Sequence, residues 1–142
     1  MKYLFYTLFL GVLIYSCSST RDRQIQDTAT VAAESDTVRI ANDSLEYEII
    51  IIDPGFSYFL NAVAQPEGYH SLDYLENKNQ FLVADYNARV RQPYRYDPNI
   101  YEMEINYDPK IDYGYDVNYK LYNYFVYLSR KYNQRFSVPT RL

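Results

Sequence analysis

Residues 115–133 have the sequence YDVNYKLYNYFVYLSRKYN, and this stretch decides the fold. Its apolar residues recur at steps of four, four, three and four positions, at Val117, Leu121, Phe125, Leu128 and Tyr132. Because an α-helix has about 3.6 residues per turn, these side chains fall on one face. We therefore predict a helix from Tyr115 to about Asn133 that turns one apolar stripe to the core.

Upstream, residues 45–53 have the sequence LEYEIIIID, which predicts a β-strand. Alternate side chains of a strand point to opposite faces, so the isoleucines at 49–52 make both faces apolar. Two apolar faces are typical of a buried strand. We expect helices or a partner chain to cover both sides of it.

Two helices are predicted between this strand and residue 93. Asp53 and Pro54 have the residue types of an N-cap and a first helical position. A short apolar face follows at Phe56, Phe59, Leu60 and Val63. Ser71 is the expected N-cap of a second helix that extends to about Arg91. Residues 80–86 within it also fit a strand, since the short apolar run FLV does not distinguish the two.

Residues 100–107, IYEMEINY, alternate between apolar and polar side chains and predict a half-exposed strand. Two intervening helices return the chain, so this strand would run antiparallel to residues 45–53. The predicted fold is a small α+β domain, a two-stranded antiparallel sheet with three helices in the order β-α-α-β-α. The Tyr-rich residues 45–142 are long enough for one core.

The N-terminus has the zones of a secretory signal peptide. Residues 1–16 combine one basic residue, Lys2, with an apolar run too short to span a bilayer comfortably and a small residue, Ser16. The single cysteine, Cys17, comes next, and the ending IYSC resembles a bacterial lipobox. This resemblance implies that the Cys17 thiol carries acyl chains of the palmitate type. An ordinary secreted protein and an uncleaved anchor are the alternatives.

Residues 17–44 predict a lipid-anchored flexible tether, because they contain no aromatic residue and only small, isolated apolar ones. Ser18 differs from the aspartate that retains enteric lipoproteins at the inner membrane. Residues 18–21 also lack the acidic cluster that marks export to the cell surface. We therefore expect the outer membrane, facing the periplasm.

Charge and cysteine content exclude several classes of function. Without residues 1–16 the chain keeps 13 of its 14 Lys and Arg residues against 18 Asp and Glu, a net charge of about −5. This balance argues against nucleic acid as a partner. With Cys17 acylated, no disulfide, thiolate nucleophile or cysteine metal site is expected.

Three long stretches resemble one family. YEIIIIDPGF at 47–56, YLENKN at 74–79 and DPNIYEMEINYDPKIDYGYDVNYKLYNYF at 97–125 are similar to an uncharacterised family of small envelope lipoproteins in Bacteroidota-type bacteria. The resemblance implies an envelope location and a single domain. It implies no catalytic residues.

The candidates for catalysis or metal binding are His70, Asp53, Asp97, Asp108, Asp112 and Asp116. The acids lie next to proline or at a predicted helix start, where Asp serves as a turn or cap residue. Their spacing matches neither a catalytic pair nor a calcium loop. We expect no enzyme activity, no cofactor and no metal.

The chain has nineteen Tyr and no Trp, and the tyrosines of the long helix cannot all face one core. The predicted interaction surface joins them to nearby basic residues: Tyr113, Tyr115, Tyr119, Tyr122, Tyr127, Arg130, Lys131 and Arg135. The expected function is a non-catalytic scaffold or adaptor that binds another envelope protein. The alternative is a glycan- or peptidoglycan-binding module whose tyrosines stack on sugars.

The C-terminal end is basic. After Asp116 there is no acidic residue, but there are five basic ones, Lys120, Arg130, Lys131, Arg135 and Arg141. We expect this end to face an anionic surface, either membrane headgroups or an acidic partner.

Overall fold

The computed structural model describes residues 37–53 and 55–142. Its strands are β1 (Thr37–Asn42) and β2 (Tyr47–Ile52), and its helices are α1 (Phe56–Ala62), α2 (Leu72–Val90) and α3 (Gly114–Lys131). The α+β class, the two-stranded antiparallel sheet and the three helices are confirmed. The predicted signal peptide, the acylated Cys17 and the tether up to residue 36 lie outside the described residues.

The partner of β2 is the preceding segment of the chain. β1 pairs with β2 antiparallel, from Thr37 opposite Ile52 to Asn42 opposite Tyr47, and a short 3-10 turn (Asp43–Leu45) joins them. A hairpin closes with a short loop, so its entropic cost is small. The folded domain thus begins no later than Thr37, and the predicted boundary at residue 45 is corrected.

Residues 100–107 do not form the predicted strand, so both strands precede all three helices. The side chain of Asn87 on α2 occupies both backbone groups of Ile105. Its amide nitrogen donates to the Ile105 carbonyl and its oxygen accepts from the Ile105 N–H, each at 2.8 Å. In a sheet, the backbone of a neighbouring strand would pair with these groups. Here the Asn87 side chain pairs with them instead.

Helix α3 is the centre of the core. Every residue from Val117 to Leu128 except Lys120 is buried. The elements packed on it are α2, β1 and α1. The predicted helix is confirmed to within two residues at each end, but its single apolar stripe is wrong because burial extends around the helix.

The other helices follow the local signals in part. Ser71 accepts a hydrogen bond from the Tyr74 N–H and caps α2, as predicted, and residues 80–86 are helical. Helix α1 has Gly55 at its N-cap position with φ of 98°, a conformation that favours glycine. Asp53 is therefore not the side-chain cap that its sequence context predicts.

Within residues 37–53 and 55–142, no helix combines the length and the apolar character needed to cross a membrane.

Candidate functional site

A cleft of about 490 Å³ lies between β2 and residues 99–106, and we call it the edge cleft. Buried side chains that line it come from α2 and α3 as well as from the two walls: Ile51, Tyr86, Ile105, Tyr124 and Leu128. Two hydrogen bonds between the Asn87 side chain and the Ile105 backbone hold the wall formed by residues 99–106 in place. The fold thus combines a largely apolar floor with one strand wall and one wall without regular secondary structure.

One wall of the edge cleft is an unpaired strand edge. The sheet has the order β1-β2, so within the described part of the chain the second edge of β2 carries no neighbour. In an antiparallel pair, alternate residues direct their N–H and C=O groups away from the partner strand. Such an edge is a template for a further strand.

The outer face of β2 carries apolar side chains that no described residue covers, and Arg39 of β1 lies opposite Ile50 on the same face of the sheet. Ile50 is 54% exposed and Ile52 is 72% exposed, while Ile51 on the inner face is buried. Met103, on the opposite wall of the edge cleft, is 74% exposed. The sequence predicts cover on both faces of this strand, and helices cover only one. Full burial of an exposed isoleucine contributes about 1.5–3 kcal/mol, and covering the exposed part of Ile50 and Ile52 would gain a corresponding share of it.

No Lys or Arg is among the described residues that line the edge cleft. Its acidic lining residues are Glu46, Glu48, Asp53, Glu102 and Glu104. Two of the glutamates pair with residues behind the walls. Arg39 binds Glu48, and hydrogen bonds from Arg91 lower the pKa of Glu104. Among the described residues, Glu46 and Glu102 form no ion pair. The cleft therefore presents negative charge beside apolar surface.

Asp53 closes one end of the edge cleft through contacts with α3. Its carboxylate accepts hydrogen bonds from Tyr127 at 2.9 Å and Tyr132 at 3.0 Å, and it pairs with Lys131. Burial lowers the pKa of Lys131, but the hydrogen bonds to Asp53 and the two tyrosines outweigh burial and raise it. A Cβ on Gly55 would lie 3.2 Å from the Tyr127 hydroxyl, so glycine also leaves room for this cluster.

The cleft and the described helices lie within a stretch that matches a known family. Residues 4–139 match the model of a family described as one of unknown function. The chain belongs to that family, DUF6146. No curated protein and no solved structure matches the chain. The DUF6146 match supports the predicted resemblance to an uncharacterised family and assigns no chemistry to the edge cleft.

The structure corrects the predicted tyrosine surface of this DUF6146 chain. Tyr115 is half-buried, and the other four tyrosines are buried: Tyr113, Tyr119, Tyr122 and Tyr127. Their hydroxyls bind loops and the C-terminal segment. Tyr119 donates to the Gln65 carbonyl at 2.8 Å, and Tyr122 donates to the Arg141 carbonyl at 3.1 Å. The tyrosines that one core face could not hold are therefore buried under loops that their hydroxyls bind. Helical periodicity does not reveal these contacts.

The five basic residues after Asp116, three of which belong to the predicted interaction surface, separate into two groups in the structure. Lys120 pairs with Asp116, and Lys131 pairs with Asp53. Arg130, Arg135 and Arg141 are exposed. The positive charge available to a partner at this end is therefore smaller than the sequence count indicates.

His70 and the remaining acids do not form a reactive cluster in the DUF6146 structure. His70 stacks on Tyr74 with ring centroids 4.3 Å apart, and burial lowers its pKa. Asp97, Asp108 and Asp112 accept hydrogen bonds from backbone N–H groups two residues further on, as turn residues do. Among the described residues, no three His, Cys, Asp or Glu side chains are placed to hold a metal ion.

Proposed function

We propose that this protein is a lipid-anchored, non-catalytic adaptor of the bacterial envelope that holds another envelope protein at the edge cleft. The observation that carries the proposal is the outer face of β2, where no described residue covers Ile50 and Ile52 and no described strand pairs with the edge beside them. Exposed apolar side chains beside a free edge are typical of a surface that binds protein.

The anchoring half of the proposal rests on the N-terminal sequence. We propose that residues 1–16 are removed and that Cys17 is acylated, as in the lipoproteins of Bacteroidota-type bacteria. Each buried methylene of an acyl chain adds about 0.8 kcal/mol, so two or three chains hold a protein on a membrane durably. The proposed location is the periplasmic face of the outer membrane.

The adaptor is better supported than the glycan-binding module. Sugar stacking needs exposed aromatic faces, and four of the five tyrosines assigned to that role are buried. The edge cleft instead offers aliphatic side chains and strand backbone, which are groups that recognise polypeptide. The adaptor also requires no cluster of reactive side chains.

Cross-linking in native membranes tests the adaptor. The full-length protein is compared with the double variant Ile50→Ser/Ile52→Ser by mild cross-linking, purification and mass spectrometry. Phe81→Ser is the matched control, because Phe81 is 53% exposed and lies outside the edge cleft. We expect a stoichiometric protein partner with the wild type and with Phe81→Ser, and its loss with the double variant.

Two outcomes contradict the proposal. Retention on peptidoglycan sacculi without a protein partner would favour the glycan-binding module. A partner that the double variant binds as well as the wild type would place the contact elsewhere.

Fractionation of a Cys17→Ser variant tests the anchor. We expect this variant to leave the membrane fraction and its precursor to stay uncleaved or to be cut elsewhere, because the thiol is the acyl acceptor. Unchanged membrane association would exclude acylation of Cys17 as the anchor.

A further inference from the structure

We propose that the partner's docking segment is a basic, aliphatic β-strand that adds to the free edge of β2. In this segment, aliphatic residues alternate with Lys or Arg over about six residues. The inference rests on the proposed adaptor function and specifies the chemistry of its partner.

The length follows from β2. Its six residues span about 20 Å at about 3.4 Å per residue, and an added strand pairs with this length. The backbone groups that β2 turns away from β1 are available along the cleft. Main-chain hydrogen bonds provide affinity in strand addition, and the side-chain pockets provide specificity.

The aliphatic half of the pattern follows from the cleft floor. An added strand places every second side chain on the inner face, next to Ile51 and over Tyr86, Tyr124 and Leu128. These floor residues are buried, and the apolar contact they offer favours branched aliphatic side chains.

The basic half follows from the outer face. Glu48, Ile50 and Ile52 share one face of β2. Glu46, which precedes the strand, also lines the cleft, and Glu102 and Glu104 line the wall across it. A Lys or Arg side chain packs its methylene stem on apolar surface and extends its charge to nearby carboxylates. A Lys or Arg residue can therefore cover the isoleucines with its methylene groups and pair with the glutamates through its charge.

Charge argues against a second copy of this chain as the occupant. Two copies joined edge to edge would place the acidic cleft residues of both copies in one interface, at a cost from like-charge repulsion. The full chain has a net charge of −4, so long-range attraction also favours a basic partner.

A designed peptide supplies the test. Full-length protein in non-ionic detergent micelles is titrated into fluorescein-labelled KVKVKV, whose alternation is the same in either strand direction, and anisotropy is measured against a micelle blank. The comparison peptides are EVEVEV, which reverses the charge, and KVKVKV methylated on alternate backbone nitrogens, which keeps the charge and removes one edge of donors. We expect KVKVKV to bind at least about tenfold more tightly than either and to weaken as salt rises.

Paired variants separate the cleft from general acidity. Glu46→Gln/Glu102→Gln is expected to weaken KVKVKV binding by about threefold to tenfold and to reduce its salt dependence. Glu67→Gln/Asp73→Asn removes the same charge from exposed positions outside the cleft and is expected to leave binding unchanged. Circular dichroism spectra check that both variants fold.

The inference is overturned if EVEVEV or the methylated peptide binds equally well, or if the two double variants behave alike. It is also overturned if the edge cleft is found to mediate a concentration-dependent dimer that Ile50→Ser abolishes. If a native partner needs Ile50 and Ile52 but KVKVKV does not bind, the basic strand falls and the adaptor stands. If no protein cross-links to the wild type either, both fall.

Discussion

Strand β2 and helix α3 both carry many apolar residues, and the fold covers them to opposite extents. The sequence predicts two buried faces for β2 and one for α3. The structure leaves the outer face of β2 exposed and surrounds α3, where Phe125 is fully buried. Apolar side chains are more stable when they are buried, whichever part of the protein or its partner buries them. The described residues do not bury the outer face of β2.

The largest expected effect is a difference in stability between these two elements. Phe125→Ala should lower the free energy of unfolding by about 3–5 kcal/mol, because it leaves a cavity beside α3. Ile52→Ala should change it by less than about 0.5 kcal/mol, because that side chain contacts water. Urea unfolding followed by circular dichroism measures both. Equal losses would mean that the face of β2 is covered after all.

A second comparison sets the two carboxylates at the ends of β2 against each other. Asp53→Ala should cost about 1–3 kcal/mol, because it removes the carboxylate that pairs with Lys131 and accepts hydrogen bonds from Tyr127 and Tyr132. Glu48→Ala should change stability little, because its pair with Arg39 is exposed to solvent. The same urea titration measures both variants, and a comparable loss in Glu48→Ala would contradict the difference.

Alkaline pH should weaken the packing around α3. Burial raises the pKa of Tyr127 and of Tyr107 to about 12. An unfolded tyrosine ionises near pH 10, so between about pH 10 and 12 the folded state holds more protons and stability falls as pH rises. We expect a loss of roughly 1 kcal/mol by about pH 11 for Tyr127, after allowance for solvent screening. Tyr127→Phe should reduce this pH dependence in unfolding measurements, and an unchanged slope would contradict the assignment.

The smallest expected effect concerns His70. Burial lowers its folded-state pKa, so the unfolded chain takes up a proton first as pH falls below about 6.5. Its contribution to stability is present above that pH and is lost progressively below it. Unfolding between about pH 7.5 and 5.5 should show a shallower slope in His70→Gln than in the wild type. Parallel slopes would show that His70 keeps its ordinary pKa.

Local signals predicted the helices well. The spacing of Val117, Leu121 and Phe125 placed α3, and Ser71 marked the start of α2. They failed where a residue's partner is distant in the chain. Asp53 has the sequence context of a cap, but its three side-chain partners are more than seventy residues away, two on α3 and one, Tyr132, just after it.

The edge cleft could be predicted only in part. The isoleucines of β2 form an unusual run in the sequence, but the composition of residues 17–44 predicts a tether where β1 lies. The segment TVRIAN has an alternating pattern with one large apolar residue on its inner face, Ile40, and this weak signal could have located β1. The alternation of residues 100–107 is a local pattern and predicts a strand. The side-chain amide of Asn87, which binds the backbone N–H and C=O of Ile105, comes from α2, and the local pattern does not show it.

By itself the sequence determined the α+β class, the positions of α2 and α3 and the apolar character of β2, because hydrophobic periodicity and capping act over a few neighbouring residues. Only the tertiary structure decided which strand pairs with β2, which tyrosines are buried and which face of the sheet stays open. Those outcomes depend on competition between distant segments for the same apolar surface and the same backbone groups. The physics of that competition is not local, so no short pattern records it.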